Sequence, residues 1–169
     1  MFRLMLFLAL GAGSLFGGGG DPSYQPLFVI ERSSNENVVH YDAKIDRDGR
    51  LDAREPVIAY WIMGAKDGRR QELNFLEKTK AYGLVVEPGS NPDSYRIALI
   101  SEKRLGIQVY RDGDAVRAET TIDGHRAYLR KIYVGVRKGS LFGAPDYIEL
   151  NGTDIATGEN LHETINPRR

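Results

Sequence analysis

The sequence predicts a mainly β fold: an antiparallel barrel of about nine strands with one covering α-helix, a two-sheet sandwich being the alternative. Three observations carry this expectation. Asp-Gly recurs at Asp48-Gly49, Asp67-Gly68, Asp112-Gly113 and Asp123-Gly124, and Asn-Gly stands at Asn151-Gly152. Both dipeptides tolerate the positive φ of tight hairpin turns. Between them the chain alternates with period two, placing Val116, Ala118, Thr120 and Ile122 on one face and Arg117, Glu119 and Thr121 on the other. Finally, residues 69–81 alone read as a helix, with Leu73, Phe75 and Leu76 among charges and neither Pro nor Gly.

The elements follow in chain order. Arg3 places one positive charge before an apolar, uncharged run at 4–16, and glycines 17–20 lead into Asp21-Pro22. A basic start, a short apolar stretch and a small-residue exit are the parts of a cleaved signal peptide, assigned to residues 1–20. The run falls short of the roughly 20 apolar residues of a membrane-spanning helix, so an uncleaved anchor is the lesser reading. With no strand before them and no Lys-Ser/Thr after, the glycines are not a phosphate loop. Residues 21–169 then form a single β-rich domain, periplasmic or extracellular, with no membrane span in the mature chain.

Strands are expected at 27–31, 37–43, 57–63, 84–87, 95–101, 106–111, 115–122, 126–136 and 147–150. The segment 57–63, Val-Ile-Ala-Tyr-Trp-Ile-Met, is apolar on both faces. Its outer side therefore needs a cover, and the helix at 69–81 is expected to lie across it. Residues 89–93 read as one exposed loop. An outer-membrane barrel is disfavoured, because the helix interrupts the strand series and Arg and Lys recur within 126–136.

Composition removes whole classes of function. The chain has no Cys, which excludes disulfides, thiolate metal sites and a thiol nucleophile. Its 23 basic residues equal its 23 acidic ones, against the basic surplus that a nucleic-acid binder needs. No Gly-x-Ser-x-Gly occurs in the mature chain, and no carboxylate pair can be singled out for glycosidase chemistry.

Several longer segments carry a resemblance. They include Phe28-Val29-Ile30-Glu31-Arg32-Ser33, Asn35-Glu36-Asn37-Val38-Val39-His40-Tyr41 and Glu55-Pro56-Val57-Ile58-Ala59-Tyr60-Trp61-Ile62. Gly68-Arg69-Arg70-Gln71-Glu72-Leu73-Asn74, Ala81-Tyr82-Gly83 and Tyr147-Ile148-Glu149-Leu150-Asn151-Gly152-Thr153-Asp154 continue it. Together they resemble a domain-of-unknown-function family of small exported bacterial proteins, over nearly the whole mature chain. The resemblance implies one intact exported domain and brings no activity, cofactor or catalytic residue.

Three groups of residues are candidates for chemistry. Asp46, Asp48, Asp52 and Glu55 fall at positions three, five, nine and twelve of a calcium-type loop centred on Gly49. Lys44 stands where the first carboxylate belongs, Pro56 blocks the exit helix and three arginines share the loop, so a plain strand connection competes with calcium. No other cofactor is indicated. His40 and Asp42 project from one strand face and lack a third ligand nearby. Tyr60 and Trp61 face opposite ways, so one of them can line an interior pocket, with Arg32 and Asn37 among the polar groups beside it. Arg32, Asn37, His40, Tyr60 and Trp61 are therefore the candidate ligand-binding set. The expected function is a non-catalytic binding module for a small ligand or envelope component. A module docking on an envelope protein or polysaccharide is the alternative, and a hydrolase comes last.

Overall fold

Alternation becomes burial where the sequence marks it most clearly. In the computed structural model, which describes residues 23–137 and 145–166, Val116, Ala118, Thr120 and Ile122 are all buried. The chain forms β1 (Ser23–Arg32), β2 (Asn35–Ile45), β3 (Val57–Met63), β4 (Arg69–Glu72), α1 (Phe75–Lys80) and β5 (Leu84–Pro88). It continues through β6 (Ser94–Leu99), β7 (Glu102–Asp112), β8 (Ala115–Ile122), β9 (His125–Val136), β10 (Pro145–Asp154) and β11 (Asn160–Ile165). The signal segment proposed for residues 1–20 lies outside the described residues.

These eleven strands make one sheet, in the order β4-β3-β2-β1-β9-β8-β7-β6-β5, with β10 between β9 and β11. The mainly β expectation holds, but the sheet does not close into a barrel. Strand β9 explains why. Along one edge it pairs with β10 from Ala127 to Val136. Its other edge is divided: residues 125–128 pair with β8, and Lys131 to Val134 run parallel to β1. Two ribbons therefore leave the same strand edge and curl over one core, in place of a ring of single neighbours. Gln25 stitches the ribbons together where they part, accepting from Val116 N at 2.8 Å and donating to the Asp114 carbonyl at 3.0 Å.

One continuous apolar cluster fills the space between the ribbons, from Phe28 and Tyr41 through Ile97, Ile107 and Val109 to Leu129 and Leu150. Phe28 and Tyr41 stack with ring centroids 4.6 Å apart, and the Tyr41 hydroxyl donates to the Tyr82 carbonyl at 2.8 Å.

Turn chemistry succeeds at all four Asp-Gly sites, Gly49 turning with φ of 77° between the bridged Ile45 and Leu51. Asp67-Gly68 and Asp123-Gly124 have positive φ at both residues, and Gly113 supplies it at the β7–β8 turn. Asn151-Gly152 does not turn. It lies inside β10 at a register shift against β9, where a Cβ on Gly152 would stand 2.6 Å from the Tyr128 carbonyl oxygen. A close backbone approach is the other use of a strand glycine.

The helix at 69–81 needs the largest correction. Its first part is β4, which pairs Arg69, Arg70, Gln71 and Glu72 with the open edge of β3. The helix proper is α1, started by a capping box in which Asn74 Oδ1 accepts from Glu77 N at 3.0 Å and Glu77 accepts from Asn74 N at 2.8 Å. It buries no residue and does not cover β3. Phe75 is 77% exposed and Leu76 68%, while Leu73 and Tyr82, on either side of the helix, reach the core. Leu76→Asp is therefore expected to shift stability by no more than about 0.5 kcal/mol. A thermal melt checks this, and a fall of ten degrees would show that Leu76 is packed.

Candidate functional site

The outer face of β3 is sealed by side chains. Tyr60 stacks on His40 with centroids 5.6 Å apart, and the Arg70 guanidinium lies 3.8 Å above its ring. Its hydroxyl donates to Asp42 Oδ2 at 2.6 Å, and burial followed by this bond pushes its pKa up to about 12. Asp42 itself is only 6% exposed, and among the described residues its Oδ1 has no hydrogen-bond partner. His40, Asp42 and Tyr60 thus form one compact cluster with Arg70, on the side of β3 opposite Trp61.

Trp61 pairs across the ladder with the fully buried Val39, so it faces the interior. There it meets Tyr82 edge to face, with centroids 5.0 Å apart. A cavity of about 420 Å³ opens beside them at this end of the sheet. Arg32 lies at the end of β1 and Asn37 near the start of β2, so the tight β1–β2 connection brings both to the cavity wall. Met63, Leu76, Glu77 and Tyr82 complete it with Asn35, Gln71 and Ala81. Arg32 donates to the Tyr82 hydroxyl at 2.9 Å, and burial raises the Tyr82 pKa in spite of that neighbouring charge. The Asn37 side chain carries a buried Oδ1 without a partner among the described residues. A buried acceptor left unmade costs about 1–3 kcal/mol, so such an atom marks a place for a donor.

Of the five residues singled out for ligand binding, Arg32, Asn37 and Trp61 gather here, whereas His40 and Tyr60 belong to the outer cluster. Tyr82, Glu77 and Met63 were missed by the sequence reading. For Tyr82 a signal existed, an aromatic directly before the helix-stopping Gly83.

The calcium-type loop uses its carboxylates internally. Asp46 Oδ1 accepts from the amides of Asp48 and Arg50, both at 2.9 Å, and Asp52 Oδ1 from those of Arg54 and Glu55, again at 2.9 Å. Lys44 Nζ sits 3.3 Å from both Asp52 and Glu55, an ammonium between the carboxylates a cation would use. Among the described residues, no group of three or more His, Asp or Glu side chains converges as a metal-holding set.

A second charged network is better buried. Glu119 is 8% exposed and accepts from Arg126 Nε at 2.6 Å and Nη2 at 3.0 Å, and from the Tyr110 hydroxyl at 2.9 Å. The Arg126 bond holds its carboxyl below the usual glutamate range. Asp154 is held low in the same way by the backbone amides of Thr157 and Ala156, and Asp52 by those of Glu55 and Arg54. A carboxyl depressed in the folded state binds its proton more readily when unfolded. Its contribution is complete above the ordinary value, near 4, and is lost as pH falls through the depressed one. The melting temperature is expected to hold from neutrality to about pH 4.5 and to fall below it, less steeply in Glu119→Gln. An identical slope in Glu119→Gln would contradict the role of this pair.

A protein-family comparison covers most of this architecture. The family described as a domain of unknown function, DUF4833, matches residues 28–164, from β1 to β11. The chain belongs to this family. The matched stretch contains the whole cavity wall, including Arg32, Asn37, Trp61 and Tyr82, as well as the Tyr110–Glu119–Arg126 network. No match is found among curated proteins or solved structures.

Proposed function

We propose that the protein is an exported, non-catalytic binding module that takes a small amphipathic ligand in the cavity between the β1–β2 turn, β3 and α1. The observation that carries this reading is the buried Asn37 Oδ1, without a partner among the described residues, beside the Arg32 cation and the Trp61 ring. An apolar body fits against Trp61, Met63 and Leu76. A polar head carrying negative charge suits Arg32, and a hydroxyl on the same head would give Asn37 its missing donor. The volume lies within the range of small-ligand sites, roughly 300–1,000 Å³. A signal-like start at residues 1–20 supports an envelope or extracellular setting.

Trp61 is the sole tryptophan of the chain, so tryptophan emission, excited selectively over the tyrosines, reports on this cavity. The probe is 3-hydroxydecanoate, which combines the carboxylate, the hydroxyl and the apolar chain. Its titration is expected to change Trp61 emission saturably, and decanol to do so far less. Asn37→Ala is expected to weaken this response while leaving the melting point nearly unchanged, because it removes an unsatisfied group and breaks no bond. Emission that ignores 3-hydroxydecanoate, or an Asn37→Ala variant that binds it as well as the native chain, would overturn the reading.

A further inference from the structure

We propose that the open cleft over β5 to β9 is a second binding site, whose ligand is a neutral oligosaccharide. Its floor is the outward row of the sheet, in which Glu87, Arg96, Gln108 and Glu119 stand side by side through consecutive strand pairs. The cleft holds about 590 Å³ and is walled by residues 89–93. That wall is fixed in place. Gly89 N donates to the Ser94 carbonyl at 2.8 Å, the Ser94 hydroxyl donates to the Asn91 carbonyl at 2.6 Å, and Asp93, with φ of 61°, accepts from Leu51 N at 2.6 Å.

The lining decides the class of ligand. Three cations, Arg96, Arg111 and Arg126, face three acids, Glu87, Asp93 and Glu119. A polyanion would meet the carboxylates and a polycation the guanidinium groups, each at the cost of unpaired charge. An apolar ligand would strip water from the exposed Glu87, Arg96 and Arg126 without replacing its hydrogen bonds. A sugar hydroxyl both donates and accepts, so it can bridge an arginine and a carboxylate at once. Neutral polyols therefore match a surface of balanced, interleaved charge.

Position and rigidity agree with that choice. Glu119 points outward in the alternation of β8 yet is nearly buried, because Arg126 and Tyr110 hold both its oxygens. These groups are ordered before any ligand arrives, which lowers the entropic cost of binding. The Tyr110 ring offers an apolar face to the carbon side of a pyranose. Arg96 and Gln108, paired across β6 and β7, are both exposed and form the open part of the floor.

The test is an amide-resolved NMR titration of the intact protein with chitotetraose and maltotetraose, and with a sulfated heparin tetrasaccharide as the polyanion. Saturable shifts at Arg96, Gln108, Tyr110 and Glu119 with a neutral tetrasaccharide are expected. Arg96→Ala and Gln108→Ala, both at exposed positions, are each expected to weaken the binding about ten-fold. Shifts from the sulfated sugar only, no shifts from either neutral sugar, or undiminished binding in both variants would overturn the proposal. The Trp61 indole signal is read in the same spectra, so failure here and failure of the small-ligand cavity are told apart.

Discussion

Leu129→Ala is expected to destabilise the protein by about 2–5 kcal/mol, the range for removing a buried leucine whose surroundings relax only in part. Leu129 is 2% exposed on β9, between the stretch that pairs with β8 and the stretch that pairs with β1. Among the described residues no other strand meets both ribbons along one of its edges. A cavity at this point loosens the packing of two half-sheets at once, so it is harder to collapse than one at an outer strand. Urea unfolding checks it: the midpoint should fall with little change in slope. A loss below 1 kcal/mol would mean that Leu129 does not bridge the ribbons.

Gly83→Ala is the second large effect, expected to cost about 1–3 kcal/mol through overpacking. A Cβ on Gly83 would stand 1.7 Å from the Lys78 carbonyl oxygen and 2.9 Å from Ile100 Cδ1. The first of these atoms is backbone in α1 and cannot rotate away. Relief requires the end of the helix to move, or the bond from Ile100 N to the Gly83 carbonyl, 2.9 Å long, to stretch. Either motion displaces the neighbouring Tyr82, whose ring packs on Trp61 and whose hydroxyl meets Arg32. Gly83→Ala should therefore shift Trp61 emission as well as the melting temperature. An unchanged melting temperature would show that α1 is not seated against this turn.

Local signals in the sequence carried much of the fold. The alternation at 115–122 names the residues of β8 that reach the core, and Asp112-Gly113 and Asp123-Gly124 mark the two turns around that strand. What failed was decided by distant partners. Arg69 to Glu72 has a composition that suits a helix, but the unpaired edge of β3 draws it into a ladder. The Asn74–Glu77 capping box was legible and would have moved the helix start from residue 69 to Phe75. Asn151-Gly152 carries a turn signature that the close approach of β9 overrides. The divided edge of β9 has no local signature at all, and with it went the difference between a closed barrel and an open, two-ribbon sheet.

The candidate site was legible to a similar degree. Arg32 and Asn37 fall near a strand end and Trp61 within an apolar strand, so their types and positions suggested a lined pocket. Their meeting at one cavity depends on the β2–β3 register, which pairs Val39 with Trp61 and sends Tyr60 and His40 outside. The row from Glu87 to Glu119 is invisible before register is known, because its members are scattered over four strands.

The most direct test of the central claim, a ligand cavity framed by Arg32, Asn37 and Trp61, is native mass spectrometry of the protein purified from an exporting host. The account predicts a non-covalent organic adduct that survives chelation and is lost in Arg32→Ala and Asn37→Ala. A bare polypeptide mass in the native chain, or an adduct that both variants retain, would contradict it.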